Sequence, residues 1–270
     1  MKIAFTTLAC PNWTLEQAIE AAKSYGYEGL ELRLLDGEVI TPALDKEQRA
    51  RVKRVMKEAN LPIVCLDTSV RIAQPKAEDR EAQIKDGFAM LELASEWEAP
   101  SIRVFGGPPA DASHADAIAG AIETLRPLAE RGAELGVSVL LETHDAFSAG
   151  ASVAEVLNAV PNPAAGVLWD LLHPNRMGET TAETWKLIGH RLQHIHVKDG
   201  TRPADGNPNW PLKLLGEGDV PTEAILKEIQ AAGYNGWLAV EWEKKWHPDI
   251  AEPEVALPQH IKLLRQYLGA

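Results

Sequence analysis

Glu142, Asp170, His196 and Glu241 are the residues whose types and placement promise chemistry. Each lies at or near the end of a short apolar run. Residues 137–145 (VSVLLETHD) turn abruptly from apolar to Glu142, Thr143, His144 and Asp145. Residues 167–173 (VLWDLLH) carry Asp170 and His173, residues 192–199 (LQHIHVKD) carry His196 and Lys198, and residues 237–243 (WLAVEWE) carry Glu241. Three carboxylates and one imidazole form an oxygen-rich ligand set. It suits one divalent ion, Mn²⁺ first and Mg²⁺ or Co²⁺ as alternatives. No organic cofactor is expected. Four protein ligands on a six-coordinate ion leave two positions for a substrate carbonyl and a neighbouring hydroxyl. The ion would polarise the carbonyl and stabilise an enediolate when the α-proton leaves. A glutamate at its edge would take that proton, so Glu142 and Glu241 are the candidate catalytic residues as well as ligands.

Other residues have two readings each. His173, three residues after Asp170, either starts a helix or reaches past the ion to a substrate oxygen. Lys198 is a substrate-binding cation or a partner for Asp199. Trp13 is an aromatic wall for a sugar or ordinary packing. His144 and Asp145 read as loop or supporting residues, His194 as a hydrogen-bonded core histidine, and Trp242 and Trp246 as packing between barrel and helices. Arg33, Arg71 and Arg103 are the candidate anion contacts. Gly106-Gly107 is followed by two prolines, whose nitrogens donate nothing, so no phosphate grip is evident there.

These side chains meet only if their segments are neighbouring parallel strands. The chain alternates eight strand-like runs with about eight helical ones. Strands are expected at residues 2–7, 29–33, 62–66 and 101–105, then at the four chemical segments. Helices are expected at residues 14–25, 45–60, 76–98, 114–135, 153–160, 182–189, 221–232 and 253–268. Thr14 with Gln17 forms a capping-box pattern, and Gly26, Gly136 and Gly233 stand where helices should stop. Such alternation implies parallel βαβ units, and eight of them in 270 residues make one (β/α)₈ barrel spanning residues 1–270. An open doubly wound sheet is the alternative, but no GxGxxG follows the first strand. In a barrel, catalytic groups come from the C-terminal strand ends. Period-2 alternation then points Glu142, Glu241 and the His194, His196, Lys198 set inward.

A net charge of −12 argues against a nucleic-acid surface. No apolar run approaches the roughly 20 residues of a membrane span. Leu8-Ala9-Cys10 follows too short an apolar segment for a signal peptide. Two isolated cysteines, Cys10 and Cys65, make no disulfide framework, and neither lies near the four motifs as a structural zinc site would require. A cytoplasmic enzyme with a small-molecule carbohydrate partner is expected, with no nucleic-acid or membrane partner.

The motifs LLETHD, LWDLLHP, HIHVKD, GEGDVP (residues 216–221) and VEWEKKW resemble the xylose isomerase-like barrel superfamily, in its sugar phosphate isomerase/epimerase branch. The resemblance covers nearly the whole chain. It implies a metal held by Glu142, Asp170, His196 and Glu241, with the two glutamates acting as acid and base on opposite faces of the substrate. It implies substrate-binding roles for His173 and for Arg202, six residues after the histidine ligand. Ser148 departs from the ketose 3-epimerases, which carry a glutamate there. Lys198 resembles the wider branch of inosose and 3-dehydroshikimate dehydratases and hydroxypyruvate isomerases. The zinc nuclease branch would need histidines on strands three and four, which are absent. Barrels of this group are often dimers or tetramers, so a homo-oligomer is allowed for. Isomerase or epimerase is the favoured activity. A dehydratase and a non-catalytic sugar-binding barrel are the alternatives.

Overall fold

Local sequence starts and stops the helices as expected. Thr14 accepts a hydrogen bond from the Gln17 backbone and the Gln17 side chain accepts one from Thr14, closing the capping box of α1 (Leu15–Tyr25). Gly26 ends α1 at φ 86°, a left-handed conformation that glycine adopts without steric cost. Asp45 with Gln48 repeats the box on α2 (Lys46–Ala59), and Ser113 caps α4 (His114–Leu135). The remaining helices are α3 (Ala77–Glu96), α5 (Gly150–Ala159), α6 (Leu172–Arg176), α7 (Thr181–Ile188), α8 (Thr222–Ala231) and α9 (Pro253–Leu268). The structure, a computed structural model, describes residues 1–269.

The strands close into one parallel barrel. In chain order they are β1 (Lys2–Thr6), β2 (Gly29–Leu32), β3 (Ile63–Arg71), β4 (Ser101–Phe105), β5 (Ser138–Glu142), β6 (Ala165–Asp170), β7 (Leu192–Val197) and β8 (Trp237–Val240). Each pairs with its sequence neighbours and β8 returns to β1, giving the expected (β/α)₈ TIM barrel. Two short two-stranded pairs, at Leu34–Leu35 with Glu38–Val39 and at Asp199–Gly200 with Leu212–Lys213, sit outside it.

Two boundaries differ in ways that matter for the site. β3 runs to Arg71 and not to Leu66, because Asp67 and Thr68 meet partners inside the fold: Asp67 faces Arg103, and Thr68 donates to the Arg103 carbonyl. Residues 171–173 leave the sheet after Asp170, whose carboxylate accepts from the Leu172 N–H, so His173 sits on α6.

The large apolar core lies between the barrel and its helices. The closed end of the barrel holds its own small cluster, Ala4, Val64 and Ala239, with Trp237 packed against it. Gly29 is required there, since a Cβ would meet Val64 at 2.5 Å. Ala239 therefore faces inward, and with it the alternation that aims Glu241 at the barrel axis.

One core group titrates. His260 of α9 is fully buried, stacks edge-on against Trp242 with centroids 5.3 Å apart, and donates from Nδ1 to the Ala256 carbonyl at 2.6 Å. Burial lowers its pKa from 6.5 to about 4. A lowered folded pKa means that, as pH falls below 6.5, the unfolded chain takes up a proton that the folded chain refuses. Stability contributed by this site should therefore fall by about 2 kcal/mol between pH 7 and pH 5. Denaturant midpoints of wild type and His260→Leu at both values check this. The variant should lose less by that margin, and equal losses would contradict it.

Candidate metal centre and active site

The four expected ligands converge. Glu142 and Asp170 are the last residues of β5 and β6, His196 is next to last in β7, and Glu241 follows β8. One ligand atom from each lies within 4.8 Å of the others. His196 Nδ1 is 3.1 Å from Glu142 Oε1 and 3.4 Å from Glu241 Oε1. Backbone contacts between neighbouring strand ends fix the group. Asp170 N–H donates to Thr143 Oγ1 at 2.9 Å, Leu171 N–H to the His196 carbonyl at 3.1 Å, and Glu241 N–H to the Val197 carbonyl at 3.0 Å.

The electrostatics ask for a cation. Glu142, Asp170 and Glu241 are all buried, with Glu31 beneath them. Arg103 and Lys198 are the buried cations that answer them. Four carboxylates against two fixed cations leave room for a divalent charge. Glu142 Oε2 and Asp170 Oδ2 are buried without a hydrogen bond, although Lys198 Nζ approaches Asp170 Oδ2 at 2.9 Å outside bonding geometry. Burial pushes the Asp170 carboxyl up to about 6 against the pull of Lys198. Burial opposes a charge on His196, yet Glu31 and Glu241 raise its pKa well above the ordinary range. The excess negative charge thus draws protons into the place of a cation. The residues fit one divalent ion with mixed oxygen and nitrogen ligands.

Beneath the cluster lie residues that sequence reading missed. Glu31 Oε2 is 2.5 Å from His194 Nε2 and Glu31 Oε1 is 2.8 Å from His196 Nε2. His196 therefore presents Nδ1 to the other ligands and gives its Nε2–H to Glu31, which sets tautomer and ring orientation. His194 is the hydrogen-bonded core histidine expected. Arg103 Nε lies 3.3 Å from Asp67 Oδ1 and 3.4 Å from Glu142 Oε2, so it joins the buried network. Burial holds the Asp67 carboxyl at about 8. The signals were Glu31 in GLELR and Asp67 just past an apolar run, each alone in its segment. Replacing Glu31 with Gln should raise the Mn²⁺ dissociation constant about 10- to 100-fold. Titration against a competing chelator measures it, and an unchanged constant would contradict this role.

Above the cluster a cavity of about 670 Å³ is lined by His144, His173, Arg176, Lys198, Trp210 and Glu243. A side lobe of about 230 Å³ holds Arg33, Phe105, Glu241 and Trp246. His173 faces the main cavity with both ring nitrogens unpartnered, and burial holds its pKa well below the ordinary value, so it is neutral. Lys198 does not pair with Asp199. Its Nζ meets Glu241 at 2.6 Å, Glu243 at 2.7 Å and Asp170 at 2.9 Å. His144 lies 2.5 Å from Asp145 and edge-on to His173. Trp246, expected as packing, is 49% exposed beside Glu241, because the chain after β8 turns it over the barrel mouth. Trp242 is buried packing, its indole donating to the Ala251 carbonyl.

Two expected substrate contacts are not brought to the cluster. Trp13 packs beside Leu15 and Leu34 on the outer side of β1. Arg202 lies over the Trp210 ring at 5.2 Å and faces a groove lined by Trp169, Leu171 and Pro174 outside the barrel. Asp199 explains the placement of that segment. Its carboxylate accepts from the N–H groups of Gly200, Gly216, Gly218 and Val220, tying both ends of the loop at residues 200–219 to one point. Of the anion candidates, Arg71 is exposed, and Arg33 donates to the Asp67 carbonyl at 3.3 Å.

The family profile described as xylose isomerase-like TIM barrel matches residues 19–267. The chain belongs to that family. It is 22% identical to fructoselysine 3-epimerase of Escherichia coli O157:H7 over 280 residues, covering 99% of this chain and 98% of that one. It is 28% identical to inosose dehydratase of Clostridium botulinum (strain Alaska E43 / Type E3) over 158 residues, 51% of each chain. A probable 3-DHS dehydratase of petrobactin synthesis from Bacillus anthracis superposes with a TM-score of 0.77 at 22% identity, covering 98% of both chains. The IOLI protein, crystallised with a zinc atom, superposes with a TM-score of 0.81 at 16% identity, covering 100% of this chain and 98% of that one. Of these four similar proteins, one carries the name of an epimerase and two those of dehydratases. No described helix is long and apolar enough to cross a membrane.

Proposed function

We propose that this xylose isomerase-like barrel is a divalent-metal-dependent isomerase or epimerase of a sugar or polyol-derived carbonyl compound, working by α-proton abstraction. The observation that carries the reading is the convergence of Glu142, Asp170, His196 and Glu241 at one end of the barrel, with ligand atoms within 4.8 Å. These four residues would hold the ion, with Mn²⁺ favoured by their oxygen-rich donor set. When bound, the ion would polarise a substrate carbonyl and stabilise the negative charge that grows on its oxygen. Glu142 and Glu241 move the proton, each a carboxylate held ionised against its burial, Glu142 by Arg103 and Glu241 by Lys198. Lys198 keeps Glu241 and Asp170 in place at the edge of the cavity. Neutral His173, with two unpartnered nitrogens, hydrogen-bonds a substrate hydroxyl. The loop carrying Trp210 helps to exclude water.

A second reading, dehydration of an inosose or a 3-dehydroshikimate-like substrate, draws support from two features. Position 148 is serine where the ketose 3-epimerases carry glutamate, and dehydratases stand among the relatives. The same α-proton abstraction begins both reactions. A dehydratase would then expel the β-hydroxyl. Incubating the Mn²⁺-loaded protein in D₂O with ketoses, inososes and 3-keto sugars, followed by NMR, tests the proposal. Deuterium beside the carbonyl or a rearranged product supports it, and the product tells epimer from isomer from the α-dicarbonyl that dehydration would leave. No exchange and no product across the panel would sink it in favour of a non-catalytic sugar-binding barrel.

A further inference from the structure

We propose that Arg176 forms a subsite for an anionic group, a carboxylate or a phosphate, carried by the substrate of this site, a step that rests on the proposed function above. Arg176 closes α6, three residues after His173, and so shares its side of the helix. Both line the cavity of about 670 Å³ above the ligand cluster. What sets Arg176 apart is its partners. Nη2 donates to Ser148 Oγ at 3.2 Å and Nη1 to the Pro208 carbonyl at 3.2 Å, while Nε is buried without a partner. Each acceptor is neutral, so the guanidinium charge has no counter-charge in contact.

The other charges facing this cavity are already engaged. Lys198 is held by Asp170, Glu241 and Glu243. Asp145 lies 2.5 Å from His144, and Glu243 lies 2.7 Å from Lys198 and 3.4 Å from His247. Neither carboxylate pairs with Arg176. Ser148 permits this arrangement. Its hydroxyl donates to the Asp145 carbonyl at 2.8 Å and accepts from Arg176, so it orients the guanidinium without neutralising it. An acidic residue at 148 would cancel the charge. A planar, permanently charged fork beside neutral His173 recognises a carboxylate or phosphate by paired hydrogen bonds. In a chain of net charge −12, a local cation is needed to draw such a group in.

The test uses three ketoses that differ at one carbon: D-fructose, D-fructuronate and D-fructose 6-phosphate. Calorimetric titration into Mn²⁺-loaded wild type, Arg176→Gln and Arg176→Lys reads affinity, with melting curves confirming that each variant folds. Wild type should bind one of the two acids at least about tenfold more tightly than fructose. Arg176→Gln should erase that margin and Arg176→Lys, which keeps the charge but not the fork, should keep only part of it. Which acid gains tells carboxylate from phosphate. No margin in wild type, or an undiminished margin in Arg176→Gln, overturns the subsite. Deuterium exchange followed in the same samples separates the two ideas. An Arg176-dependent margin without exchange by any of the three would weigh against the proposed reaction and leave the subsite standing.

Discussion

Mn²⁺-loaded Glu241→Gln protein should exchange the α-proton of its substrate about 10³-fold more slowly than wild type, while still binding the substrate. Glutamine keeps the size of the side chain and one ligand oxygen but takes no proton at neutral pH. Glu241 sits where that loss should be felt. It follows β8 at the inner face, 5% exposed, 2.6 Å from Lys198 and 3.4 Å from His196. Lys198 and His196 hold its carboxyl well below the ordinary range although burial opposes them, so it stands ready as a base. Single-turnover exchange in D₂O at matched metal content is the measurement. If the variant exchanged at the wild-type rate, Glu241 would not be the base. If neither protein exchanged and both bound sugar alike, the barrel would be a binding protein.

Removing the ion should abolish exchange and Mn²⁺ should restore it. Without it, Glu142, Asp170 and Glu241 share a buried pocket with Arg103 and Lys198 for compensation. Nothing then offsets the charge that would develop on a substrate oxygen. The same removal has a readout independent of turnover. An ion that binds only the folded chain adds about 2.7 kcal/mol of stability at a hundredfold excess over its dissociation constant, so chelation should lower the melting temperature. Full exchange by protein verified to be metal-free would defeat the mechanism. Restoration by Zn²⁺ in place of Mn²⁺ would change the ion and leave the site standing.

The barrel and the convergence of the four candidate ligands were readable because they repeat. Four strand-like segments each bear a polar residue at the same end, and parallel closure turns that repetition into proximity. Glu31 and Asp67 escaped, and Arg103 was read only as an anion contact, because what joins them is the barrel interior, where sequence distance carries no information. Glu31 meets His196 across 165 positions, for example. Lys198 was left between two partners because the sequence sets Asp199 beside it, whereas alternation sends the two side chains to opposite faces. Trp13 packs against the core and Trp246 stands at the barrel mouth for a similar reason. Both follow strands closely, and only the path of the connecting loop decides which ring reaches the mouth. Arg202 stands six residues after His196 in sequence, but the loop that bears it takes its own course and sets it over the Trp210 ring.

The carboxylate of Asp199 gathers backbone donors from both ends of one long connection. A segment so fastened behaves as a cassette. The conformational cost of bringing its ends together is met at the base, where one side chain holds the seam, and depends little on the residues in between. Pro208, Asn209 and Trp210, which shape the cavity roof, can therefore be exchanged without altering strand register or ligand geometry. On this scaffold the roof is free to diverge while the floor stays fixed, so that one barrel can come to admit different small molecules.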